Sequence, residues 1–311
     1  MGNDYTEKRE ERLTLSVLMA VYRKDRSDYL DRALKSVWDE QTLRPEKIIL
    51  IEDGPLDESL QTVISRWKIK IGNVLCLCIN KEHQGLTKCL NIGLRQVHTT
   101  LVARMDSDDI SLPFRFEQQV RYLRQHPEID ILGGAIKEFN NECKCLNIRQ
   151  YPLTHEKAVR YLLRGSPLSH PAVMMRMRIF HQGLSYDERF NTSQDIALWF
   201  EAVSRGFRLS NLNEVVLSYR RENTFYERRS KAKARNECLI YLKGIYRLKG
   251  PFSFAYIYPL VRYCFRLFPL PIIKVIYNSR FRDYILNNHL LNSRNYERTT
   301  PRLPTGIWTK R

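Results

Sequence analysis

The sequence lacks the segments that mark secreted and disulfide-stabilised proteins. Its N-terminus, "MGNDYTEKREERLTLS", is polar and contains no apolar run, so we expect no secretory signal. The seven cysteines are an odd number at scattered positions, and no C-x-x-C pair occurs among them. This pattern favours reduced thiols in the cytosol over a disulfide framework or a zinc site.

Glycine-rich phosphate-binding loops are also missing. The sequence contains no G-x-G-x-x-G and no P-loop motif, which argues against a dinucleotide-binding enzyme and a P-loop enzyme. The pair Gly133-Gly134 follows "EIDIL" and predicts a turn at the end of a strand. Hydrophobic residues make up 43% of the chain and charged residues 27%, which is ordinary for a globular protein.

Negative charge is scarce in the last third of the chain. From Arg220 onward there are 20 Lys and Arg against 5 Asp and Glu, so 15 of the 17 net positive charges lie there. The charge distribution therefore predicts two functional regions. We expect a flexible tail over residues 1–13, a globular domain over 14–225 and a basic amphipathic, helical region over 226–311.

Strands alternate with helices in the predicted domain. The apolar runs of strand length are "TLSVLMAVY", "EKIILIEDG", "NVLCLCIN" and "TTLVARMD", and segments with helical spacing of apolar residues separate them. Continuously apolar strands predict an α/β fold with a mostly parallel sheet and helices on both faces. Ligands bind beyond the carboxyl ends of such strands, where Tyr22, Glu52-Asp53 and Asp106-Ser107-Asp108 would cluster.

Three carboxylates, Asp106, Asp108 and Asp109, fall within four positions after the fourth strand. Like charges so close repel each other, and burial makes each one less stable. A hard divalent cation, Mn²⁺ or Mg²⁺, bound together with substrate phosphate would account for the cluster. Alternatively, these aspartates cap the helix that begins near Pro113, a role that fits Asp109 best.

Three segments together resemble a bacterial family 2 glycosyltransferase with the GT-A fold, over roughly residues 14–220. They are "SVLMAVYRKDRSDYLDRALKSVWDEQTLRPEKIILIEDGP", "NKEHQGLTKCLNIGLRQ" and "ARMDSDDISLPFRFEQQV". The resemblance implies an inverting, metal-dependent transfer from a UDP-sugar. The chain has no Q-x-x-R-W motif of processive members, which favours transfer of a single sugar.

The resemblance also implies roles for residues at the strand ends. Tyr22 would lie against the uracil ring. Glu52, where the family usually has the first aspartate of D-D-G, would accept a hydrogen bond from uracil N3–H. Asp106 would bind the nucleotide, and Asp108 would hold the metal.

Further residues take their roles from the same resemblance. Lys81 and Gln84 would contact the nucleotide, or else are solvated loop residues. Asp195, in "NTSQDIALWF", would be the base that deprotonates the acceptor hydroxyl, although it could instead be a plain helix cap. Gln194 stands where the family usually has glutamate. His170, in an H-P segment, would line the acceptor or diphosphate side or be structural.

The basic last third contains "PFSFAYIYPLVRYCFRLFPLPIIKVIYN", an apolar, aromatic run of membrane-span length. Arg262, Arg266, Lys274 and internal prolines interrupt it, and each charge at a bilayer centre costs roughly 2.5–3.5 kcal/mol. An element that lies in the plane of an anionic membrane fits better. No helix-turn-helix, zinc-finger or RRM signature accompanies the positive charge, so we expect no nucleic-acid partner. The alternative to membrane binding is a basic surface that is merely solvated.

These observations predict a peripheral enzyme at the cytoplasmic face of a bacterial inner membrane. It would add one hexose, galactose before glucose, to a polyprenyl-diphosphate-linked GlcNAc or GalNAc. The product would be a β-linkage in an O-antigen or capsule repeat unit. The alternative is a non-catalytic nucleotide-sugar-binding or scaffold protein of the same pathway.

Overall fold

A computed structural model describes residues 12–140, 144–221 and 231–267. The chain forms two compact units, residues 1–263 and residues 264–311. Only residues 264–267 of the second unit lie within the described ranges. The account below therefore concerns the first unit, apart from the last four residues of the final helix.

The first four strands alternate with three helices, as the apolar runs predict. The strands are β1 (Leu15–Val21), β2 (Lys47–Glu52), β3 (Leu75–Ile79) and β4 (Leu101–Asp106). The helices between them are α1 (Ser27–Trp38), α2 (Glu58–Ile71) and α3 (Leu86–Leu94). All pairings among these four strands are parallel.

The rest of the described chain contains five further strands and six further α-helices. The strands are β5 (Ile110–Ser111), β6 (Ile131–Phe139), β7 (Cys145–Arg149), β8 (Met174–Arg176) and β9 (Leu209–Arg220). The helices are α4 (Arg115–Gln125), α5 (His155–Leu162), α6 (Arg178–His181), α7 (Gln194–Ser204), α8 (Lys231–Lys249) and α9 (Ile257–Leu267).

The strands form one sheet in the order β3-β2-β1-β4-β8-β6-β9-β5, with β7 paired to β6. Strand β8 is antiparallel to both β4 and β6, so the sheet becomes mixed beyond β4. The predicted GT-A type α/β fold is confirmed. The parallel arrangement that the apolar runs predict is found in the half of the sheet that those runs form.

The core lies on both faces of the sheet, as continuously apolar strands require. One buried cluster contains Leu34 of α1 and Trp67 of α2, and the other contains Leu90 of α3 and Trp199 of α7. Helix α3 lies so close to the sheet that a Cβ atom on Gly93 would overlap side chains of β1 and β2. Glycine at position 93 therefore allows the last turn of α3 to pack directly on β1 and β2.

The turn predicted at Gly133-Gly134 is wrong. Both glycines lie inside β6, which runs parallel to β9. A Cβ atom on Gly133 would overlap Asn211, and one on Gly134 would overlap Val216. The glycines therefore make room for β9 side chains rather than for a change of chain direction.

Helix α8 packs against α7 through aromatic contacts. The rings of Phe200 and Tyr241 meet edge to face at 5.5 Å. The boundary predicted at residue 225 and the predicted interruption at Lys274 lie outside the described residues. Within the described ranges, none of the helices has both the length and the apolar character that crossing a bilayer requires.

Candidate active site

The register of the central strands brings the predicted strand-end residues to one edge of the sheet. Val21 is opposite Glu52 across the β1–β2 pair, and Ala20 is opposite Asp106 across the β1–β4 pair. Tyr22 directly follows β1. The side chains predicted to bind the nucleotide and the metal therefore emerge from three adjacent strands.

One oxygen atom each of Asp106, Asp108 and Asp109 lies within 4.8 Å of the others. Asp109 is fully buried, and its Oδ1 accepts a hydrogen bond of 2.7 Å from the backbone N–H of Arg220. Its Oδ2 has no partner among the described residues. The capping role for Asp109 is wrong, since α4 begins after Phe114 and the Asp109 carboxylate contacts β9 instead.

Electrostatics make this carboxylate cluster suitable for a divalent cation. Burial, together with the charges of Asp106 and Asp25, raises the pKa of Asp108 to about 7. Burial and the charges of Asp106 and Asp108 raise the pKa of Asp109 well above its usual value. Three oxygen donors that repel one another, one of them unpartnered, fit Mn²⁺ or Mg²⁺, which would relieve the repulsion.

A buried arginine, Arg104, already supplies positive charge beside the cluster. It is only 2% exposed and forms an ion pair with Oδ1 of Asp106. Its Nε and Nη1 have no hydrogen-bond partner among the described residues. Arg104 was missed at the sequence level, where its signal is a charge inside the apolar run "TTLVARMD".

The loop before α3 lies opposite the carboxylate cluster, where His83 and Tyr22 form an aromatic wall (the Tyr22–His83 wall). The ring of His83 lies 5.2 Å from the ring of Tyr22, and His83 Nδ1 is 2.9 Å from Asp53 Oδ2. Asp53 also accepts a hydrogen bond of 2.6 Å from the backbone N–H of Gln84. Gly54 has a φ of +85°, and a Cβ atom there would lie 2.7 Å from the His83 backbone nitrogen. The loop is thus fixed with His83 beside Tyr22.

Three further residues, Glu52, Lys81 and Gln84, are predicted to contact the nucleotide. The carboxylate of Glu52 is buried, and it accepts a hydrogen bond of 2.7 Å from Gln61 Nε2 on α2. Lys81 and Gln84 are exposed on the loop before α3. The uracil contact of Glu52 stays a prediction, as do the contacts of the two loop side chains.

Asp25 is a further acidic residue that the sequence did not single out. Its Oδ2 accepts hydrogen bonds from the backbone N–H of Tyr22 at 3.0 Å and from the hydroxyl of Ser107 at 2.9 Å. Asp25 thereby ties the end of β1 to the middle residue of the D-S-D segment. Asp25 therefore positions Tyr22 relative to the carboxylate cluster.

Asp195 lies in the first turn of α7 and is half-buried. The N-cap residue of this helix is Ser193, whose side chain makes no capping hydrogen bond within the described part of the chain. Burial raises the pKa of Asp195, while backbone amides of the first turn and the charge of Arg104 oppose the rise. A raised pKa suits a carboxylate that must accept a proton.

His170 is buried against aromatic side chains. Its Nε2 lies 2.8 Å from the hydroxyl of Tyr186, and its ring meets the ring of Trp199 edge to face at 6.0 Å. Burial and the nearby charge of Arg104 lower the pKa of His170 well below its usual value. His170 is therefore neutral and linked to Tyr186, and its role on the acceptor side stays a prediction.

Comparison with known proteins agrees with this geometry. The family model described as glycosyl transferase family 2 matches residues 16–184. The chain belongs to glycosyl transferase family 2. The match ends before α7, so this glycosyltransferase carries its candidate base outside the matched residues.

The relatives of the glycosyltransferase include two bacterial enzymes of about one third sequence identity. The amylovoran biosynthesis glycosyltransferase AmsE of Erwinia amylovora is 32% identical over 85% of this chain and 98% of the relative. The UDP-Gal:alpha-D-GlcNAc-diphosphoundecaprenol beta-1,3-galactosyltransferase of Escherichia coli is 32% identical over 66% of this chain and 73% of the relative. The glycosyltransferase is therefore similar to enzymes of bacterial polysaccharide and lipid-linked sugar synthesis.

A solved structure supports the fold assignment. The structure of S. aureus TarS residues 1–349 in complex with UDP-GlcNAc superposes with a TM-score of 0.58 at 18% sequence identity. The alignment covers 89% of this chain and 77% of the TarS chain. At this identity the similarity establishes the GT-A fold of the glycosyltransferase.

Proposed function

We propose that this glycosyltransferase transfers one hexose from a UDP-sugar to a polyprenyl-diphosphate-linked sugar. The donor would be UDP-galactose, with UDP-glucose second, and the acceptor sugar GlcNAc or GalNAc. The observation that carries the proposal is the cluster of Asp106, Asp108 and Asp109 beside the Tyr22–His83 wall. The name of the Escherichia coli relative supports this donor and acceptor.

In this proposal the Tyr22–His83 wall and the carboxylate cluster together hold the donor. The aromatic ring of Tyr22 would lie against the uracil base, Asp106 would bind the nucleotide, and Asp108 would hold Mn²⁺ or Mg²⁺. When bound, Mn²⁺ or Mg²⁺ would supply positive charge that offsets the negative charge developing on the UDP leaving group. Arg104 fixes the carboxylate of Asp106, which keeps the cluster in one arrangement.

Asp195 acts as the base. As the acceptor hydroxyl attacks the anomeric carbon, its proton passes to the Asp195 carboxylate, the new C–O bond forms, and the bond to the diphosphate oxygen breaks. Attack from the face opposite the diphosphate inverts the anomeric carbon. An α-linked donor therefore gives a β-linked product, which would enter an O-antigen or capsule repeat unit.

The location that we propose is the cytoplasmic face of the inner membrane. Phe252 and Phe254, in the turn between α8 and α9, are 97% and 91% exposed. Apolar side chains of α9 continue this surface, including Ile257 and Val261. Exposed aromatics beside a strongly basic sequence region suit an anionic bilayer, where a lipid-linked acceptor resides.

A screen of UDP-sugars against lipid-linked acceptors tests the proposal. Transfer of galactose or glucose to a polyprenyl-diphosphate GlcNAc or GalNAc would support it, and NMR of the product should show a large anomeric coupling. A small coupling, diagnostic of an α-linked hexose of this type, would contradict inversion and the role of Asp195.

One observation favours the alternative function. The Glu52 carboxylate accepts a hydrogen bond at Oε2 from Gln61, which occupies one of the two oxygens that could meet uracil. A non-catalytic nucleotide-sugar-binding or scaffold protein of the same pathway would tolerate this arrangement. Calorimetric binding of UDP, without turnover across the acceptor panel, would support the alternative and contradict the enzymatic proposal.

A further inference from the structure

Arg220, the last residue of β9, contacts the backbone of the D-S-D segment. Strand β9 pairs antiparallel with β5, where Ile110 is opposite Ser218. The same register, continued toward the D-S-D segment, brings Arg220 to Asp108. The contact is a hydrogen bond of 2.9 Å, which Arg220 Nε donates to the carbonyl oxygen of Asp108.

A second hydrogen bond joins Arg220 to the next aspartate. The backbone N–H of Arg220 donates to Asp109 Oδ1 at 2.7 Å. Both residues are buried, since Asp109 is fully enclosed and Arg220 is 6% exposed. Arg220 thus fixes two consecutive residues of the cluster, Asp108 through its carbonyl group and Asp109 through its carboxylate.

Two aromatic rings hold the guanidinium of Arg220 in place. Its central carbon lies 3.8 Å from the centre of the Tyr29 ring on α1 and 4.5 Å from the centre of the Phe139 ring on β6. A planar guanidinium stacks on aromatic faces, whereas a lysine ammonium group has no such plane. The rings therefore favour the orientation in which Nε meets the carbonyl of Asp108.

Arg104 and Arg220 contact the cluster in different ways. Arg104 forms an ion pair with the carboxylate of Asp106. The guanidinium of Arg220 donates to a backbone carbonyl instead, and it forms no ion pair with any carboxylate in the described ranges. An arginine bound to the carboxylate of Asp108 would compete with a cation for its oxygens. Arg220 orients this residue and occupies neither oxygen.

We propose that Arg220 is a positioning residue that holds Asp108 and Asp109 in the arrangement that binds the divalent cation. This inference rests on the proposed function, in which Asp108 holds Mn²⁺ or Mg²⁺. Hydrogen bonds that orient metal ligands in advance raise the affinity for the metal. Arg220 lies outside residues 16–184, which the family model matches, so part of the metal-binding arrangement would depend on the chain beyond them.

The first test removes the hydrogen bond to the carbonyl of Asp108 and keeps an unbranched side chain. In Arg220→Met the new side chain can still pack between Tyr29 and Phe139, but it has no donor. We expect the Kd for Mn²⁺ to rise about tenfold, as measured by electron paramagnetic resonance of unbound Mn²⁺ at a fixed concentration of UDP. The kcat at saturating Mn²⁺ should fall less than about threefold, because the metal ligands themselves are retained.

The conservative variant Arg220→Lys should recover part of the affinity. The ammonium group can donate to the carbonyl of Asp108, but it cannot stack between the two rings. We expect the Kd for Mn²⁺ to rise about threefold, and this variant decides the question alone if Arg220→Met does not fold. A lower Tm with wild-type Mn²⁺ affinity would mean that Arg220 only stabilises the fold, and would overturn the inference.

The matched control is the neighbouring arginine, Arg221. Its backbone N–H donates to the carbonyl of Phe139 at 2.8 Å, and its Nη1 is 3.3 Å from Glu138 Oε2. Both contacts are with β6, and neither is with the D-S-D segment. Arg221→Met should change the Kd for Mn²⁺ less than about twofold. A rise equal to that in Arg220→Met would contradict a specific role for Arg220.

Thermal denaturation measures metal binding independently of activity. In the presence of UDP, a concentration of Mn²⁺ close to the wild-type Kd should raise the Tm of wild type more than that of Arg220→Met. About tenfold more Mn²⁺ should give the variant the same increase, because the stabilisation depends on the ratio of ligand concentration to Kd. Equal increases in Tm at every Mn²⁺ concentration would argue against the proposed role.

The variant Asp108→Asn distinguishes failure of this inference from failure of the proposed function. If Asp108→Asn binds Mn²⁺ as tightly as wild type, Asp108 does not hold the metal, and both are overturned. If Asp108→Asn loses Mn²⁺ binding while Arg220→Met and Arg220→Lys bind Mn²⁺ as wild type does, the proposed metal site stands and only the role of Arg220 fails.

Discussion

The guanidinium of Arg104 is ion-paired with the carboxylate of Asp106, inside the strand that leads to the D-S-D segment. A cation is thus built into the sheet directly beside the acidic cluster. It offsets part of the repulsion among the carboxylates, and it acts on the candidate base and on His170 as well. One buried arginine therefore acts both on a residue predicted to bind the nucleotide and on residues predicted to lie on the acceptor side.

Removing this cation should weaken both the fold and the catalysis. In Arg104→Met we expect the free energy of unfolding to fall by about 1–3 kcal/mol, since a buried charged partner is lost beside a half-exposed carboxylate. The kcat/KM should fall at least about tenfold. Urea denaturation and initial rates measure the two effects. The exposed pair of Arg26 and Asp28 gives the control, because Arg26→Met should cost less than about 0.5 kcal/mol.

Replacing Asp108, the second aspartate of D-S-D, should abolish the dependence of activity on metal. We expect Asp108→Asn to lose at least about 100-fold in kcat and to stop responding to added Mn²⁺, because the loss removes stabilisation of the leaving group. Titration of Mn²⁺ into EDTA-treated protein measures the dependence. Full activity of the wild-type enzyme in EDTA would contradict the metal site, and Asp28→Asn serves as a surface control.

The acidic cluster should make stability depend on pH in the metal-free protein. The pKa of Asp108 is about 7 in the folded state against a usual value of 3.8, so the folded state binds more protons between these values. The contribution of Asp108 to stability is therefore lost as pH rises from about 4 to about 7. Buried His170 acts in the opposite direction.

A comparison of wild type with Asp108→Asn isolates this contribution. The Tm of the variant minus that of wild type should increase between pH 5 and pH 8 in EDTA. Excess Mn²⁺ at pH 8 should raise the Tm of wild type and not that of the variant, because a ligand stabilises the state that binds it. A pH-independent difference in Tm would argue against mutual repulsion at Asp108.

The aromatic wall should govern donor affinity rather than the chemical step. In Tyr22→Ala we expect the KM for the UDP-sugar to rise about tenfold with kcat changed less than about threefold, since stacking on a base contributes roughly 1–3 kcal/mol. His83→Ala should act in the same direction. Tyr246→Ala removes an exposed ring of α8 and should leave the KM unchanged. An unaffected KM in Tyr22→Ala would place the base elsewhere.

Membrane binding should depend on the turn between α8 and α9. Because each buried phenylalanine contributes about 1.5–3 kcal/mol, Phe252→Ser/Phe254→Ser should weaken binding to anionic liposomes at least about tenfold. Co-sedimentation measures this binding. Ile69→Ser, on α2, removes an apolar side chain that is 86% exposed and should have no effect. Equal binding to neutral liposomes at high salt would contradict an anionic membrane partner.

Local pattern was sufficient to predict the strands, helices and edge of the sheet that carry the candidate site. The apolar runs around β1 to β4 are continuous, and that property requires helices on both faces. The local pattern gave a wrong prediction of a turn at Gly133-Gly134. A pair of glycines has the same local signature in a turn and in a crowded strand. Only the β9 side chains, which are more than seventy residues away, decide between the two.

The parts of the site that sequence reasoning missed depend on contacts over long sequence separations. Arg220 reaches the D-S-D segment from the end of β9, with its Nε donating to the carbonyl of Asp108 at 2.9 Å. Arg220 stands in no motif, and only the packing of β9 against the start of β5 brings it to the site.

The contact between Gly244 and Phe200 has a practical consequence for engineering. A chimera could graft α8 and α9 of one transferase onto the domain of another. Here the graft would replace one half of an interlocking surface, because any larger residue at position 244 meets the Phe200 ring. A functional chimera should exchange α7, α8 and α9 as one cassette.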